Sequence, residues 1–425
     1  MINLGLEKIL KTKAREKLSN ANIVDRLVEI QKIDHLTDEE IQWLLTAKRV
    51  SHAELRIDGK KFPAWRVLFN DVLGPGKGGI RFHPEVSENE VVSLAFWMMV
   101  KDSLAELPFG GAKGGIKFDP KNTSPKKLEA VSRKYIDVFY EVLGQDKDIP
   151  APDVYTNPQV MAWMLDEYER KVGHHEPGMI TGKPLELQGC VLRNDATARG
   201  GFITIKEMTE EFKLDKEGLK IAIQGFGNAG LNLSQMLWED DFKVVAVSDS
   251  QGGTYSKAGL NINRVIRAKA EFGSVTNFSD GEKVSNQELL ELPVNILILA
   301  ALENQITEGN ADDIQATHIV EIANGPTTYQ ADKILLAKKV IVVPDVLANS
   351  GGVIASYFEW SQNRTGNILD QDYLEKLFQQ KMTASWKKVI AAHKENKSQI
   401  DLRTAAYLIA IRRILEAGKL RGYLK

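Results

Sequence analysis

The 425-residue chain is 43% hydrophobic and 26% charged, with a formal net charge of −2, which gives no reason to expect nucleic acid or an acidic membrane as a partner. Its length exceeds what one hydrophobic core usually serves, so we expect two domains. The single cysteine, Cys190, excludes an internal disulfide and favours the cytoplasm, and the longest apolar run is far too short to cross a membrane.

The first part of the chain predicts helices, then strands, then further helices. Residues 1–50 read as helices with charged faces rather than a signal peptide, because charges interrupt the apolar runs. Alternation over residues 52–70 predicts strand structure with a turn at Asp58–Gly59. Two later helices are predicted to begin at Ser124–Pro125 and Asn157–Pro158, since proline suits the first helical position.

A further helix is predicted between these segments. Ser87 and Glu90 match a capping box, and the helix is expected to end near Leu104. Met98 and Lys101 lie three residues apart on it, so we expect them to share a face.

Three lysines, Lys77, Lys101 and Lys113, lie among eight glycines between Gly74 and Ile116. Taken singly, each lysine is more often a solvated surface charge. The two Lys-Gly-Gly repeats at Lys77 and Lys113 argue against chance, and a glycine-rich loop is expected to carry Lys113. Two ammonium groups would bind a dicarboxylate, and the third would lose its proton more easily beside them. The segment therefore predicts a site for a doubly negative substrate.

Asp153 lies in a proline-stiffened loop just before a predicted helix. It is equally compatible with a helix-entry role and with a proton donor and acceptor near the substrate. Arg81 is expected to be a structural ion-pair partner. His174 and His175 lack a third ligand at metal spacing, and no metal site is predicted.

From about residue 186 the pattern changes to buried strands alternating with helices, which predicts a parallel, doubly wound sheet. One strand runs into Gly225-x-Gly227-x-x-Gly230, and a helix follows. The next strand ends at Asp249, 24 residues after Gly225. This context favours a Rossmann-like dinucleotide site, with pyrophosphate at the helix N-terminus and Asp249 bonded to the ribose.

The predicted fold is α/β with two domains. A substrate-binding and oligomerisation domain is expected over residues 1–185 plus 364–425, and a dinucleotide-binding domain over residues 186–363. Two helices, about 370–395 and 401–419, close the chain, and the last is expected to pack on the first domain because its apolar face needs cover.

Many motifs occur together in this chain, and in this order they resemble the glutamate dehydrogenase family, among the dehydrogenases acting on Glu, Leu, Phe or Val. The resemblance runs from about residue 50 to residue 365. The motifs are GPGKGGIRFHP, LPFGGAKGGI, APDVYT, MAWMLDEY, TGKP, GFGNAG, VAVSDSQGG, AALENQIT, ANGPTT and ANSGGVIASYFEWSQN.

The resemblance implies a role for each residue at a motif position. Lys113 and Asp153 match the catalytic lysine and aspartate. Lys101 matches the lysine that binds the substrate α-carboxylate, and Lys77 with Ser356 matches the pair that binds the side-chain carboxylate. The remaining matched positions line the substrate or cofactor sites: Met98 and Val353 beside the substrate, Asn349 where nicotinamide meets substrate, Thr197 and Asn228 near the nicotinamide, and Arg193 before the Ala-Thr motif.

Lys77 favours glutamate, because relatives that use apolar amino acids have an apolar residue there. The implied reaction is the deamination of L-glutamate to 2-oxoglutarate and ammonium with NAD or NADP, in a homohexamer. A leucine, valine or phenylalanine dehydrogenase and a catalytically silent regulatory subunit remain alternatives. The chain departs from the family pattern at Cys190, Ala198, Leu299 and Ile322, which bears on cofactor affinity and choice.

Overall fold

The computed structural model describes residues 21–396 and 399–425. The predicted helical segment before residue 21 lies outside the described residues. The chain forms two compact units: unit 1 comprises residues 1–193, 353–375 and 407–425, and unit 2 comprises residues 194–352 and 376–406. Relative to the predicted domain bounds, residues 353–363 fall in unit 1 and residues 376–406 in unit 2.

Unit 1 contains a five-stranded mixed sheet in the order β1-β2-β4-β3-β5. β1 and β2, and β2 and β4, are antiparallel, whereas β3 runs parallel to β4 and β5. The strands are β1 Arg49–Ile57, β2 Lys60–Asn70, β3 Gly76–His83, β4 Gly110–Lys117 and β5 Asp148–Pro152. The helices that begin in its first segment are α1 Ala21–Asp34, α2 Asp38–Leu44, α3 Glu88–Leu104, α4 Pro125–Phe139 and α5 Pro158–Val172.

Local sequence explains how these elements begin and turn. The predicted turn joins β1 to β2, and Asp58 and Gly59 both have positive φ, as a two-residue hairpin turn requires. Ser124 caps α4 and Asn157 caps α5, each with a side chain that accepts from a backbone N–H, and proline follows both caps.

The predicted capping box at α3 is only half formed. Ser87 accepts a hydrogen bond from the Glu90 backbone N–H, as predicted. The Glu90 carboxylate is instead bonded to Arg81 on β3, at 2.5 Å. The ion pair with Arg81 therefore replaces the hydrogen bond that the Glu90 side chain would make in a capping box.

Lys113 lies on β4, so the expectation of a glycine-rich loop there was wrong. The glycines in β3 and β4 permit close packing: a Cβ at Gly78 would lie 1.6 Å from the carbonyl oxygen of Ala112. A Cβ at Gly111 would lie 2.4–2.5 Å from atoms of Ala95 and Met99 on α3. The glycines thus let α3 lie directly on the sheet.

Unit 2 contains a seven-stranded sheet in the order β12-β11-β10-β6-β7-β8-β9. The first five strands in this order are parallel, which confirms the predicted α/β fold with a doubly wound sheet. β8 and β9 add an antiparallel edge that was not predicted. The strands are β6 Lys220–Gln224, β7 Lys243–Asp249, β8 Gly252–Tyr255, β9 Glu282–Val284, β10 Ile296–Leu299, β11 His318–Glu321 and β12 Ile341–Val343.

The remaining helices complete unit 2 and the C-terminal segments. They are α6 Ala196–Glu211, α7 Asn228–Glu239, α8 Ile262–Phe272, α9 Asn286–Leu290, α10 Tyr329–Ala337, α11 Asp345–Ala348, α12 Gly351–Thr365, α13 Gln371–Glu395 and α14 Leu402–Leu420. From Tyr407 onward α14 belongs to unit 1, as predicted, and Arg413 donates to the carbonyls of Ser103 and Leu107 at the end of α3. Among the described helices, none combines the length and apolarity needed to span a membrane.

Candidate active site

The sheet register of unit 1 brings two of the three lysines onto one face. Lys77 on β3 pairs with Gly111 on β4, and Gly111 and Lys113 are two residues apart on the same strand. Side chains of paired residues in parallel strands point the same way, and residues i and i+2 share a face. α3 packs on this face and carries Lys101, which is 8% exposed.

Lys77 is 1% exposed, and its ammonium group donates to the carbonyl of Pro150 at 3.4 Å. No carboxylate of a described residue lies within ion-pair distance of it. Burial lowers the pKa of Lys77 to about 7; Asp102 opposes the shift, and Arg193 and Arg66 add to it. A carboxylate that entered here would restore the charge of a buried cation.

Lys113 and Asp153 form a buried pair, with Nζ 2.9 Å from Oδ1. The Nε atom of Arg81 lies 2.9 Å from Oδ2 of Asp153, so Arg81 is an ion-pair partner, as predicted. Burial lowers the pKa of Lys113, and Asp153 opposes that shift. Burial would raise the pKa of Asp153, but Lys113 and Arg81 together hold it well below its usual range. The pair presents a lysine that releases its proton easily beside an ionised carboxylate.

The second segment of unit 1 carries further predicted site residues. Ser356 on α12 is 3% exposed, and Val353 begins the part of α12 that belongs to unit 1. Glu359, one turn beyond Ser356, forms a buried ion pair with Lys183 at 2.6 Å. Met98 on α3 is half-buried.

Arg193 was predicted to bind the cofactor, but it is the last residue of the first segment of unit 1. Its Nε atom is buried and has no hydrogen-bond partner among the described residues. Burial lowers the pKa of Arg193, and Glu359 is the largest influence that opposes this shift. The charge of Arg193 in turn lowers the pKa of Lys77. The structure therefore groups Arg193 with the lysine proposed to meet the side-chain carboxylate.

In unit 2 the glycine loop follows β6, at the point where the strand order turns from β7 to β10. A Cβ on Gly225, which has φ +96°, would lie 2.6 Å from the Ala300 backbone, and one on Gly230 would lie 1.9 Å from the Gly225 carbonyl oxygen. A Cβ on Gly227 would meet nothing within 4 Å. Two glycines are required by packing, and the third leaves open space at the N-terminus of α7. This cradle fits the pyrophosphate of a dinucleotide.

Asp249 ends β7, but its carboxylate is largely engaged within unit 2. Oδ1 accepts from the Gln251 N–H and the Ser274 hydroxyl, both at 3.0 Å, and Oδ2 accepts from the Val275 N–H at 2.9 Å. Lys269 lies 3.5 Å from Oδ2. Burial would raise the pKa of Asp249, but these donors lower it. The carboxylate keeps little free capacity for a ribose hydroxyl, and the adjacent ammonium group weakens its repulsion of a 2′-phosphate.

Other predicted cofactor residues also lie in unit 2. Asn228 begins α7 and donates to the carbonyl of Asn194 at 2.9 Å, and Thr197 lies in the first turn of α6. Asn349 donates to the carbonyl of Ile322 at 3.1 Å, while its buried Oδ1 has no partner among the described residues. An unpartnered buried oxygen is suited to accept a donor from a ligand.

The departures from the family pattern are packing positions. Ala198, Leu299 and Ile322 are all buried. A Cβ on Gly201 would lie 2.5 Å from the Cδ1 atom of Ile322, so the glycine at 201 makes room for the isoleucine. In the described part of the chain no group of three or more His, Cys, Asp or Glu residues is arranged to hold a metal ion.

Two buried groups were missed by sequence reasoning. Asp148 at the start of β5 pairs with Arg66 and, at 2.7 Å, with Arg49. Asp102 on α3 is fully buried, and neither carboxylate oxygen has a hydrogen-bond partner among the described residues. A charged residue at a core-facing helix position was the available signal for Asp102.

Family models match most of the chain. The dimerisation domain of Glu/Leu/Phe/Val dehydrogenases matches residues 48–170, and the Glutamate/Leucine/Phenylalanine/Valine dehydrogenase model matches residues 189–422.

Similar proteins carry the glutamate dehydrogenase name. The chain is 48% identical to a glutamate dehydrogenase of Aeropyrum pernix over 86% of this chain and 88% of the relative. It is 45% identical to a cryptic catabolic NAD-specific glutamate dehydrogenase of Bacillus subtilis, over 86% of each. Among solved structures, a hetero-hexameric glutamate dehydrogenase from Thermus thermophilus in a leucine-bound form matches with a TM-score of 0.89 and 33% identity, covering 95% of this chain and 97% of the other.

Proposed function

The chain belongs to the Glu/Leu/Phe/Val dehydrogenase family, and we propose that it is an NAD(P)-dependent glutamate dehydrogenase. It is an oxidoreductase that converts L-glutamate reversibly into 2-oxoglutarate and ammonium. The observation that carries the choice of substrate is Lys77, a buried ammonium group without a carboxylate partner among the described residues.

The neighbours of Lys77 favour a substrate with a side-chain carboxylate. An apolar substrate side chain would leave the buried ammonium unpaired, which is costly. A carboxylate would instead form a charge-assisted hydrogen bond worth about 1.5–3 kcal/mol. Arg193 places a second, unbonded cation near Lys77, and Ser356 supplies a hydroxyl. These features oppose a leucine, valine or phenylalanine dehydrogenase.

Three residues are proposed to carry the chemistry. Lys101 binds the α-carboxylate and orients the α-carbon. NAD(P), when bound, would supply the hydride acceptor. Lys113, whose lowered pKa favours the neutral amine, takes a proton from the water that adds to the oxidised α-carbon. Asp153, 2.9 Å from Lys113, moves protons to and from the substrate nitrogen, so that ammonium leaves. The retention of Lys101, Lys113 and Asp153 opposes a catalytically silent subunit.

The glycine loop of unit 2 is proposed to hold the dinucleotide. Gly225, Gly227 and Gly230 would hold the pyrophosphate. Thr197, Asn228 and Asn349 match family positions near the nicotinamide and would lie near that ring. Asp249 is largely engaged by its own loop, so both NAD and NADP are expected to bind.

Lys77→Leu tests the substrate assignment. We expect kcat/KM for glutamate to fall about 10- to 100-fold, because the lost bond is worth about 1.5–3 kcal/mol. Absorbance at the NAD(P)H band measures the rate with glutamate, leucine, valine and phenylalanine, and with each cofactor. Lys117→Leu, at an exposed position on β4, is the matched control. An unaltered preference for glutamate in Lys77→Leu would refute the assignment.

The family's dimerisation domain spans residues 48–170, and we propose that the chain assembles as a homohexamer. The Thermus thermophilus structural neighbour is hexameric. A cytoplasmic location stays a prediction that depends on the lone Cys190.

A further inference from the structure

Asp102 is a buried carboxyl group that the proposed reaction does not use. It lies on α3 between Lys101 and Ser103 and is fully buried, and neither Oδ1 nor Oδ2 has a hydrogen-bond partner among the described residues. An unbonded carboxylate is costly to bury, so the position calls for a physical explanation.

The packing of α3 on the sheet places Asp102 beside Lys77. Gly111 pairs with Lys77, and a Cβ on Gly111 would collide with Ala95 and Met99. The helix face that carries Ala95 and Met99 therefore lies over this strip of β3 and β4. Asp102 follows Met99 by three residues and so shares that face. Lys77 projects from the same side of the sheet as Gly111.

The charges around Asp102 and Lys77 favour an electrostatic attraction between these two side chains. Asp102 faces three cations, Lys77, Lys101 and Arg413. Of these, Arg413 is bonded to the carbonyls of Ser103 and Leu107. Burial raises the pKa of Asp102 well above its usual range, and the three cations oppose this.

Lys77 in turn faces two carboxylates, Asp102 and Glu359, and two guanidinium groups, Arg193 and Arg66. Glu359 is already held by Lys183 at 2.6 Å, and Arg66 by Asp148. After burial itself, Asp102 is the largest influence on the pKa of Lys77, and it acts to raise it. Without Asp102 the pKa of Lys77 would be lower still.

We propose that Asp102 is a positioning residue that keeps the buried Lys77 ammonium charged and aimed into the pocket, and so sets the selection for a substrate with a side-chain carboxylate. This inference rests on the proposed function of Lys77. Because Asp102 makes no hydrogen bond, it acts on Lys77 only in its ionised form, which the three cations favour against the effect of burial, and it leaves the Lys77 donors available to the substrate.

Binding of glutarate, an unreactive dicarboxylate, tests this by calorimetry on the intact enzyme between pH 5.5 and 8.5. The side-chain carboxylate site needs charged Lys77, whose charged fraction falls about tenfold per pH unit above its pKa. In Asp102→Asn, which removes the charge at nearly constant volume, the loss of affinity should begin at least about one pH unit lower than in the wild type. At pH 8 the variant should bind glutarate about tenfold more weakly than the wild type, with a difference under about threefold at pH 5.5.

Two further variants separate charge from structure. Asp102→Glu keeps the charge and should keep the wild-type pH profile even if its affinity is lower. Ser103→Ala removes the adjacent bond from the Ser103 hydroxyl to the Ala410 carbonyl without a change of charge, and should leave the pH profile in place. The ratio of kcat/KM for L-glutamate to that for L-norvaline should fall with rising pH in Asp102→Asn more steeply than in the wild type.

The outcomes are distinct. If Asp102→Asn weakens glutarate binding equally at every pH, or not at all, while Lys77→Leu abolishes it, then the Asp102 inference is wrong and the assignment of Lys77 stands. If Lys77→Leu also leaves glutarate binding unchanged, then the proposed function of Lys77 fails and the Asp102 inference with it.

Discussion

The three glycines of the loop after β6 have different roles: two are required by packing, and one leaves space for a ligand. Gly225 and Gly230 cannot accept a side chain, because each would collide with backbone atoms. Gly227 has φ −80° and no neighbour within 4 Å of an added Cβ. The sequence motif treats the three glycines alike, and only the packing separates their roles.

Gly227→Ala should therefore weaken dinucleotide binding while leaving the fold intact. The loss of stability should not exceed about 1 kcal/mol, the cost of alanine at a helix N-cap, whereas the methyl group would stand where the pyrophosphate approaches. Quenching of protein fluorescence by NADH and NADPH measures the affinity, and thermal unfolding measures the stability. Gly218→Ala, at another open position, is the control and should change neither. Unchanged NADH and NADPH affinities in Gly227→Ala would contradict the cradle.

Lys113 and Asp153 are expected to determine how the reaction rate depends on pH. Neutral Lys113 is the active form, and its pKa is lowered from 10.5, so kcat/KM for glutamate should rise with pH through a value below 10.5. Asp153 raises the pKa of Lys113, so Asp153→Asn should move this acid limb to lower pH while reducing the rate. Glu90→Gln, which removes a partner of Arg81 alone, should leave the limb nearly in place. If the rise of kcat/KM occurs at the same pH in Asp153→Asn as in the wild type, then Lys113 is not the group whose deprotonation causes it.

At the scale of elements, alternation and capping residues predicted most helices and strands, and their failures have identifiable causes. Glycine-rich sequence around Lys113 indicates a turn when only backbone freedom is considered. Here glycine is needed because α3 approaches β4 too closely for a side chain. Glu90 matched a capping box but is drawn to Arg81. Both errors arise from contacts between elements distant in sequence, which local patterns do not contain.

The start of α14 is fixed by a buried charge cluster. Arg403 bonds both oxygens of Glu321 at 2.6–2.7 Å, and its Nε lies 2.9 Å from Asp332. It also reaches Asp345 at 3.3 Å. Three carboxylates from β11, α10 and α11 thus depend on one guanidinium group.

Arg403→Met should destabilise unit 2 by about 3–5 kcal/mol, because it removes the cation that three buried carboxylates share. Those carboxylates would have raised pKa values in the folded variant, so it would bind more protons than the unfolded chain. The loss should therefore grow as pH rises from 5 to 8, as measured by thermal unfolding. Arg412→Met is the matched control: its partner is Asp34, its side chain is 47% exposed, and its loss should stay near 0–1 kcal/mol. Equal losses in the two variants would contradict the cluster's role.

The whole molecule is divided in a way that the sequence could not indicate. The sequence does show alternating buried strands and helices from about residue 186, and the chain first passes from unit 1 to unit 2 after Arg193. The later crossings, at 352/353, 375/376 and 406/407, all lie inside helices. An uninterrupted helical pattern gives no boundary signal, so the predicted division at residues 363/364 stays a proposal.

The proposed homohexamer is a whole-molecule prediction. Light scattering coupled to size-exclusion chromatography should give a mass six times that of the chain. The mass should not change with protein concentration in the micromolar range if the assembly is stable. Lys117→Leu, the exposed control used above, should elute as the wild type does. A monomer or dimer at every concentration would contradict the proposal.

Unit 1 is assembled from segments that lie far apart in the sequence, and this bears on its biosynthesis. Residues 407–425 leave the ribosome after all of unit 2, so the described residues before Asn194 must wait for this late segment before their fold is complete. Late closure of such distant sequence slows folding and prolongs the exposure of apolar surface. A premature stop codon within α14 would thus damage a unit whose first segment was translated much earlier.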